Sequence, residues 1–245
     1  MISSILNNFI STFDYSSYGI FIINTFMLFV FFKLLYYYLL YFNNFKNLNH
    51  NKKMYIVKNI SKAIILSYLN FNTIFYFIPD VFNNIWDDSY IRKLGGFYAA
   101  SDAAGLLFVP NLPITTKIHH CCTIILYTIV CYISVNKNDL IKLIVCYTIF
   151  SSFAFLVNLY LGMRFFIVKD SNNNLQKNIN YIIDINKVLA YYSYLFNCIL
   201  NWGIHILFFI QCIIYNNLDR MYLIYALILI PIIKDDLILL DWLKK

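Results

Sequence analysis

The chain has 245 residues, 61% of them hydrophobic and 20% aromatic, with only 13% charged and a formal net charge of +7. A soluble domain carries about 25% charged residues, so this chain, at a mean hydropathy of +0.64, is excluded from the soluble class and reads as an integral membrane protein. Its lysines fall mainly between apolar runs, which marks orientation in a bilayer and excludes a phosphate-tracking stripe for nucleic acid.

The opening stretch, MISSILNNFISTFDYSS, has no basic region, and the first apolar run, 18–42, is too long for the core of a cleaved signal. It predicts a retained span. About 20 apolar helical residues cross ~30 Å of hydrocarbon, and on that ruler the further predicted spans are 60–79, 94–109, 118–135, 140–162, 187–214 and 218–240. The fold class is therefore all-α, a polytopic transmembrane helix bundle of about seven spans. Runs apolar on every face, such as GIFIINTFMLFVFFKLLYYYLLYF, exclude barrel strands, which alternate in polarity. The last span holds Pro231 and the charged KDD at 234–236. If it stops at Ile233, the segment KDDLILLDWLKK becomes an interfacial helix and the count is six.

Lysine and arginine set the orientation. The loop 43–62 holds Lys46, Lys52, Lys53, Lys58 and Lys62. Placing it in the cytosol puts the N-terminus outside or in a lumen and the C-terminus in the cytosol. Alternate loops then divide the basic residues about 12 to 5 in favour of the cytosol, with Lys33 and Lys234 uncounted inside spans. The polar segment 169–180, KDSNNNLQKNIN, falls on the cytosolic side, and so does the sequon at Asn59, which is expected to go unused. All six cysteines lie in apolar segments without a CxxC pair and read as small buried hydrophobes.

Ionisable groups inside a bilayer are costly, about 2.5–3.5 kcal/mol or more at mid-depth, and so mark functional candidates. These are Asp102, His119, His120, Arg164 and His205. At ~1.5 Å of rise per residue, Asp102 lies ~10 Å from the cytosolic end of its span, and the histidine pair lies within ~5 Å of the same face. Asn158 and Arg164 end the fifth span on that side. One cavity in the cytosolic half can therefore gather Asp102, His119, His120, Asn158 and Arg164. His205 is expected near the opposite face, as a satisfied structural residue. An imidazole there can take a proton from an attacking amine or hydroxyl, a carboxylate can hold the ring in one tautomer, and Arg164 can grip a phosphate. The catalytic candidates are His119, His120 and Asp102, and the substrate-binding candidates are Asn158 and Arg164. Each has a plainer reading. The histidine pair can be an interfacial cap, Asp102 a helix-to-helix bond, and Arg164 a positive-inside anchor. A retinal-type Schiff base at Lys234 is set aside because Asp235 and Asp236 flank it at an expected helix end. Metal binding is not expected, since HHCC presents adjacent ligands with only His119 and Cys122 on one face, and a structural zinc needs four ligands.

The run DAAGLLFVPNLPITTKIHHCCTIIL, with Asp102, His119, His120 and Thr123, resembles the central block of TLC-domain proteins, the family of ceramide synthases and translocating-chain-associating membrane proteins. KNISKAIILSYL at 58–69 is similar to the start of that domain, and FLVNLYLGMRFF at 155–166 to its later Asn-to-Arg block. The resemblance divides the chain into an N-terminal segment with the first span (1–54), a TLC-like transmembrane domain (55–240) and a short tail (241–245). It implies a membrane of endoplasmic-reticulum type, a host's if the gene is viral. It also implies membrane lipids as partners and a role in lipid synthesis, sensing or transport, with assembly as a homo- or hetero-oligomer left open. In ceramide synthases the histidine pair is catalytic and a later acidic block joins it. Here the first acidic residue after the pair is Asp139, so the smaller TLC-domain proteins are the closer match. Three functions follow as expectations. The first is a lipid-homeostasis protein. The second is an acyltransferase with a histidine base, using acyl-CoA as co-substrate and no cofactor. The third is an unrelated seven-helix carrier or receptor.

Overall fold

Helix α1, Tyr15–Leu39, begins where Asp14 can cap it: the carboxylate accepts from the Ser17 backbone N–H at 3.0 Å and from the Ser17 hydroxyl at 2.6 Å. A single helical turn, Asn43–Lys46, leads to Asn49, whose side chain caps α2, His50–Asn72, by accepting from Lys52 N–H at 2.9 Å. From there the backbone continues through a π-helical turn, Thr73–Phe77, and a last turn, Ile78–Phe82. Asn84 then takes the left-handed conformation (φ 56°), which asparagine tolerates better than most residues. Asp87 caps α3, Asp88–Phe108, which ends just before Pro110, as the backbone restriction ahead of a proline favours. Helix α4, Ile114–Tyr132, follows Pro113. Asn138 caps α5, Asp139–Ser151. Then come a 3-10 turn, Ser152–Ala154, α6, Phe155–Met163, and a 3-10 turn, Arg164–Phe166. Helix α7 is Asn174–Ile214, and α8 is Arg220–Lys244.

This computed structural model describes residues 13–167, 174–215 and 220–245, and among them it is all-helical, with no strand. The opening stretch up to residue 12, the first part of the polar segment expected at 169–180, and the start of the last predicted span lie outside the described residues.

Among the described residues, five helical segments are long and apolar enough to cross a membrane: Tyr15–Leu39, His50–Phe82, Ile114–Tyr132, Asp139–Phe166 and Asn174–Ile214. Helices α3 and α8 have 21 and 25 residues, enough length, but they carry more charge. Outward faces agree with lipid contact. Ile22, Ile23, Phe26, Met27 and Leu34 on α1, and Phe196, Ile199, Ile206 and Leu207 on α7, are all more than half exposed. In water such contiguous apolar faces would promote aggregation.

Three packed clusters fill the interior. The first joins α1 to α4 around Phe32, Ile56, Leu66, Ala100 and Phe108. A second joins α3, α4, α5 and α8 around Ile141, Tyr225 and Ile232, and a third joins α6, α7 and α8 around Val157, Ile183 and Leu243. Helix α2 crosses α6 closely at Gly162. A Cβ on Gly162 would stand 2.6 Å from Ile60 Cγ1 and 3.3 Å from Ile60 N, so only glycine permits this approach.

The fifth predicted span, 140–162, falls within the candidate span Asp139–Phe166 and holds a 3-10 turn at Ser152–Ala154. The alternative end of the last span at Ile233 is corrected: α8 runs as one helix through Pro231 to Lys244. A membrane-type helix tolerates the one backbone hydrogen bond that proline removes, and Asp236 is buried within the bundle rather than held at a surface. Finally, Lys58 and Lys62 are not loop residues. They lie inside α2, 5% and 6% exposed, so they give no orientation signal.

Candidate functional site

Antiparallel succession brings the start of α2, the end of α3, the start of α4 and the end of α6 to one end of the bundle, together with the N-terminal half of α7 and the end of α8. A cavity of about 290 Å³ opens among them. On α2, Tyr55, Lys58, Asn59 and Lys62 follow the i, i+3, i+4, i+7 rhythm and so share one face toward it. Helix α4 supplies His119 and His120, α6 supplies Asn158 and Arg164, α7 supplies Tyr194 and Asn197, and α8 supplies Asp235, Asp236 and Trp242.

Of the five residues singled out in the sequence, four line this cavity. The fifth, Asp102, lies directly behind its wall, wholly enclosed. Its Oδ1 is ion-paired with Lys62 Nζ, its Oδ2 accepts from the Thr123 hydroxyl at 2.8 Å, and His120 Nδ1 lies 3.0 Å from Oδ1. Thr123 Oγ1 also lies 2.8 Å from the His120 carbonyl on its own helix. The ring N–H of His120 points off the line to the carboxylate, so the contact is an ion-pair approach, not a hydrogen bond. Neither nitrogen of His120 makes a hydrogen bond among the described residues although both are buried, which leaves the ring's polar capacity unspent.

His119 is placed differently. Its side chain keeps 14% exposure, and Nδ1 stands 3.3 Å from Asp235 Oδ2, again off the hydrogen-bond line. The two rings stand edge to face, with centroids 5.7 Å apart. Each histidine therefore has its own acid. Only Asp102 already has a fixed cation, Lys62, so the His119–Asp235 pair is the one with an uncompensated carboxylate to stabilise a protonated ring.

Asp236, the neighbour of Asp235, is held from two sides. Tyr147 donates to Oδ2 at 2.6 Å and Tyr194 donates to Oδ1 at 2.7 Å. Arg164 lies flat among aromatic rings, its guanidinium carbon 4.4 Å from the Trp242 centroid, 4.7 Å from Phe165 and 5.6 Å from Tyr55. Such stacking holds the planar cation in place without a carboxylate. Asn158 turns its amide back to the Ala154 carbonyl at 3.0 Å.

Two further cavities touch the same walls. One of about 70 Å³, lined by Thr73, Gly95, Tyr98 and Thr148 among others, lies deeper between α2, α3, α4 and α5. Another of about 320 Å³ is apolar and lies between α7 and α8, against Trp202, Ile206, Phe209 and Leu229. Tyr147 borders all three. His205, expected apart from the pair, lines the third cavity with both nitrogens engaged, by the Asn201 carbonyl at 2.7 Å and the Tyr225 hydroxyl at 2.8 Å.

Sequence reasoning missed Lys58, Lys62, Asp235 and Asp236. The lysines carried a usable signal in their helical spacing with Tyr55 and Asn59. The aspartates carried one in the apolar continuation LILLDWL, which keeps Asp235 one and two turns from Leu239 and Trp242. Among the described residues, no group of three or more His, Cys, Asp or Glu side chains converges in a metal-binding arrangement. Comparison with family models, with curated proteins and with solved structures finds no match.

Proposed function

We propose that the protein is a multi-pass membrane protein of TLC type acting in membrane lipid homeostasis, and that the cavity at the helix ends carries out an acyl transfer. In this reading α3 and α8 cross the bilayer as well, giving seven spans. The cavity end faces the cytosol, the N-terminus faces a lumen or the exterior, and the membrane is of endoplasmic-reticulum type. The observation that carries the proposal is the His119–Asp235 pair at the wall of a polar cavity inside an otherwise apolar bundle.

The chemistry follows from that pair. Nε2 of His119 takes the proton of a lipid amine or hydroxyl as its lone pair attacks the acyl carbonyl of a thioester donor. Asp235 stabilises the imidazolium that forms. Collapse of the tetrahedral intermediate expels the thiolate, which leaves with the proton from His119, and the ring returns to neutral. Lys62, already bound to Asp102, keeps that carboxylate from drawing a proton onto His120. His120 and Asp102 thus position the helix beneath His119 instead of duplicating its role.

Lipid profiles of cells expressing the parent, His119→Ala, Asp235→Asn and His120→Ala test this. Loss of an acylated lipid in the first two variants, at unchanged protein level, supports acyl transfer. A parent profile in both removes it. Lipid changes that persist without His119 would point to the non-catalytic reading of lipid sensing or shaping, which the unspent nitrogens of His120 also accommodate as a binding group.

A further inference from the structure

The carboxylates around the cavity are all engaged, and two of its cations have no carboxylate partner among the described residues. Asp102 is paired with Lys62 and accepts from Thr123. Asp235 faces His119, and Asp236 accepts from two tyrosines. Lys58, by contrast, is 5% exposed, lines the cavity, and has neither an ion pair nor a hydrogen bond among the described residues. Its stem lies across Gly105 of α3, where a Cβ would sit 3.4 Å from Lys58 Cε, so the backbone makes room for this lysine to lie inward. Among the described residues Arg164 likewise has no carboxylate partner, its Nε is buried without a hydrogen bond, and its plane is fixed by Trp242 and Phe165. Tyr55, one helical turn before Lys58, contacts the guanidinium, so the two cations approach the cavity from adjoining walls.

A buried cation with no counter-charge is costly, and the cost is relieved when an anion reaches it. We propose that Lys58 and Arg164 form a site for a phosphate group, which enters the cavity and is held by the ammonium as a point charge and by the guanidinium through paired N–H donors. At about 290 Å³ the cavity sits at the lower edge of ordinary ligand pockets, roughly 300–1,000 Å³. It therefore holds a headgroup-sized moiety, with the rest of the molecule outside. The phosphate can belong to a phospholipid or to a soluble phosphate ester. This deepens the lipid reading given above and rests on it for the identity of the site, but the anion contact does not require His119 to react.

The test uses purified full-length protein in neutral detergent and follows its melting on addition of phosphatidic acid, of diacylglycerol with the same acyl chains, or of glycerol 3-phosphate. Stabilisation of the parent by phosphatidic acid and not by diacylglycerol is expected. Lys58→Met should weaken it by roughly tenfold or more, the loss of one charge-assisted contact. Lys58→Arg should retain it, which separates lost charge from lost folding. Stabilisation by glycerol 3-phosphate as well would identify the soluble ester as a sufficient source, and its absence would identify the lipid headgroup. Equal stabilisation by diacylglycerol, or a Lys58→Met variant that binds as tightly as the parent, overturns the proposal. His119→Ala should bind phosphatidic acid like the parent. If it does so while cellular lipid profiles ignore His119, the phosphate site stands and the acyl-transfer reading falls.

Discussion

Replacing Asp102 by leucine should destabilise the bundle more than any other single change at the site. Asp102 is fully enclosed, and the Lys62 side chain paired with it is 8% exposed. Removing the carboxylate leaves the buried ammonium at the cavity wall without its ion-pair partner, while Thr123 keeps its second acceptor, the His120 carbonyl. Breaking a buried pair from one side costs about 3–5 kcal/mol. Lys62→Met should fall near the lower end of that range, because Thr123 still donates to Asp102 at 2.8 Å and the His120 ring, 3.0 Å away, can take up a proton. With both changes together neither charge of the pair remains, and an apolar pair of similar volume is expected within about 1 kcal/mol of the parent. The coupling energy from the double-mutant cycle should therefore be about 5 kcal/mol or more. Denaturant unfolding in mild detergent micelles, followed through the three tryptophans, gives the four stabilities needed. A double variant as unstable as the sum of the two single ones would refute the claim that Lys62 and Asp102 form one closed unit.

Gly162→Ala should cost about 1–3 kcal/mol in the same assay, since the new methyl group meets Ile60 at 2.6 Å, and pairing it with Ile60→Ala should recover part of the loss. Tyr147→Phe takes away the donor at 2.6 Å from buried Asp236 and should cost about 1–3 kcal/mol, whereas a neutral result would mean that Tyr194 alone satisfies the acid. At the opposite end of the bundle, burial pushes the Asp14 carboxyl up, but hydrogen bonds from Ser17 and the Arg92 guanidinium at 3.0 Å outweigh it and hold the group below the usual carboxylate range. A lowered folded-state value stabilises above the unfolded value of about 3.9 and is lost as pH falls through the folded one. The melting difference between the parent and Asp14→Asn should therefore be full at neutral pH and close below about pH 4.

Apolar length made the helices readable, and rise per residue made the common depth of Asp102, His119, His120, Asn158 and Arg164 readable too. Neither could show partners. HNKKMYIVKNISK looks like a basic loop by composition, and only its period of three and four residues reveals that Lys58 and Lys62 turn inward while Lys52 and Lys53 do not. Pro231 followed by KDD has the form of a helix end, yet the tyrosines that donate to Asp236 in the interior come from α5 and α7, 89 and 42 residues away. The 3-10 turn at Ser152 left no composition signal, because serine fits a helix by bonding to its own backbone, as Ser152 does to the Ile149 carbonyl at 2.7 Å. The helix starts at Asp14, Asn49, Asp87 and Asn138 went unread, although each of these residue types is a common N-cap.

The enclosed contact between Lys62 and Asp102 also bears on how the chain enters a bilayer during synthesis. In the seven-span reading proposed above, Lys62 of α2 and Asp102 of α3 each enter singly as an uncompensated charge, a penalty of about 2.5–3.5 kcal/mol for partitioning into lipid. Together they cancel. These two helices should therefore leave the translocation channel as a hairpin, the first waiting at its lateral gate until the second emerges, so the ion pair acts as an assembly instruction before it ever borders a cavity.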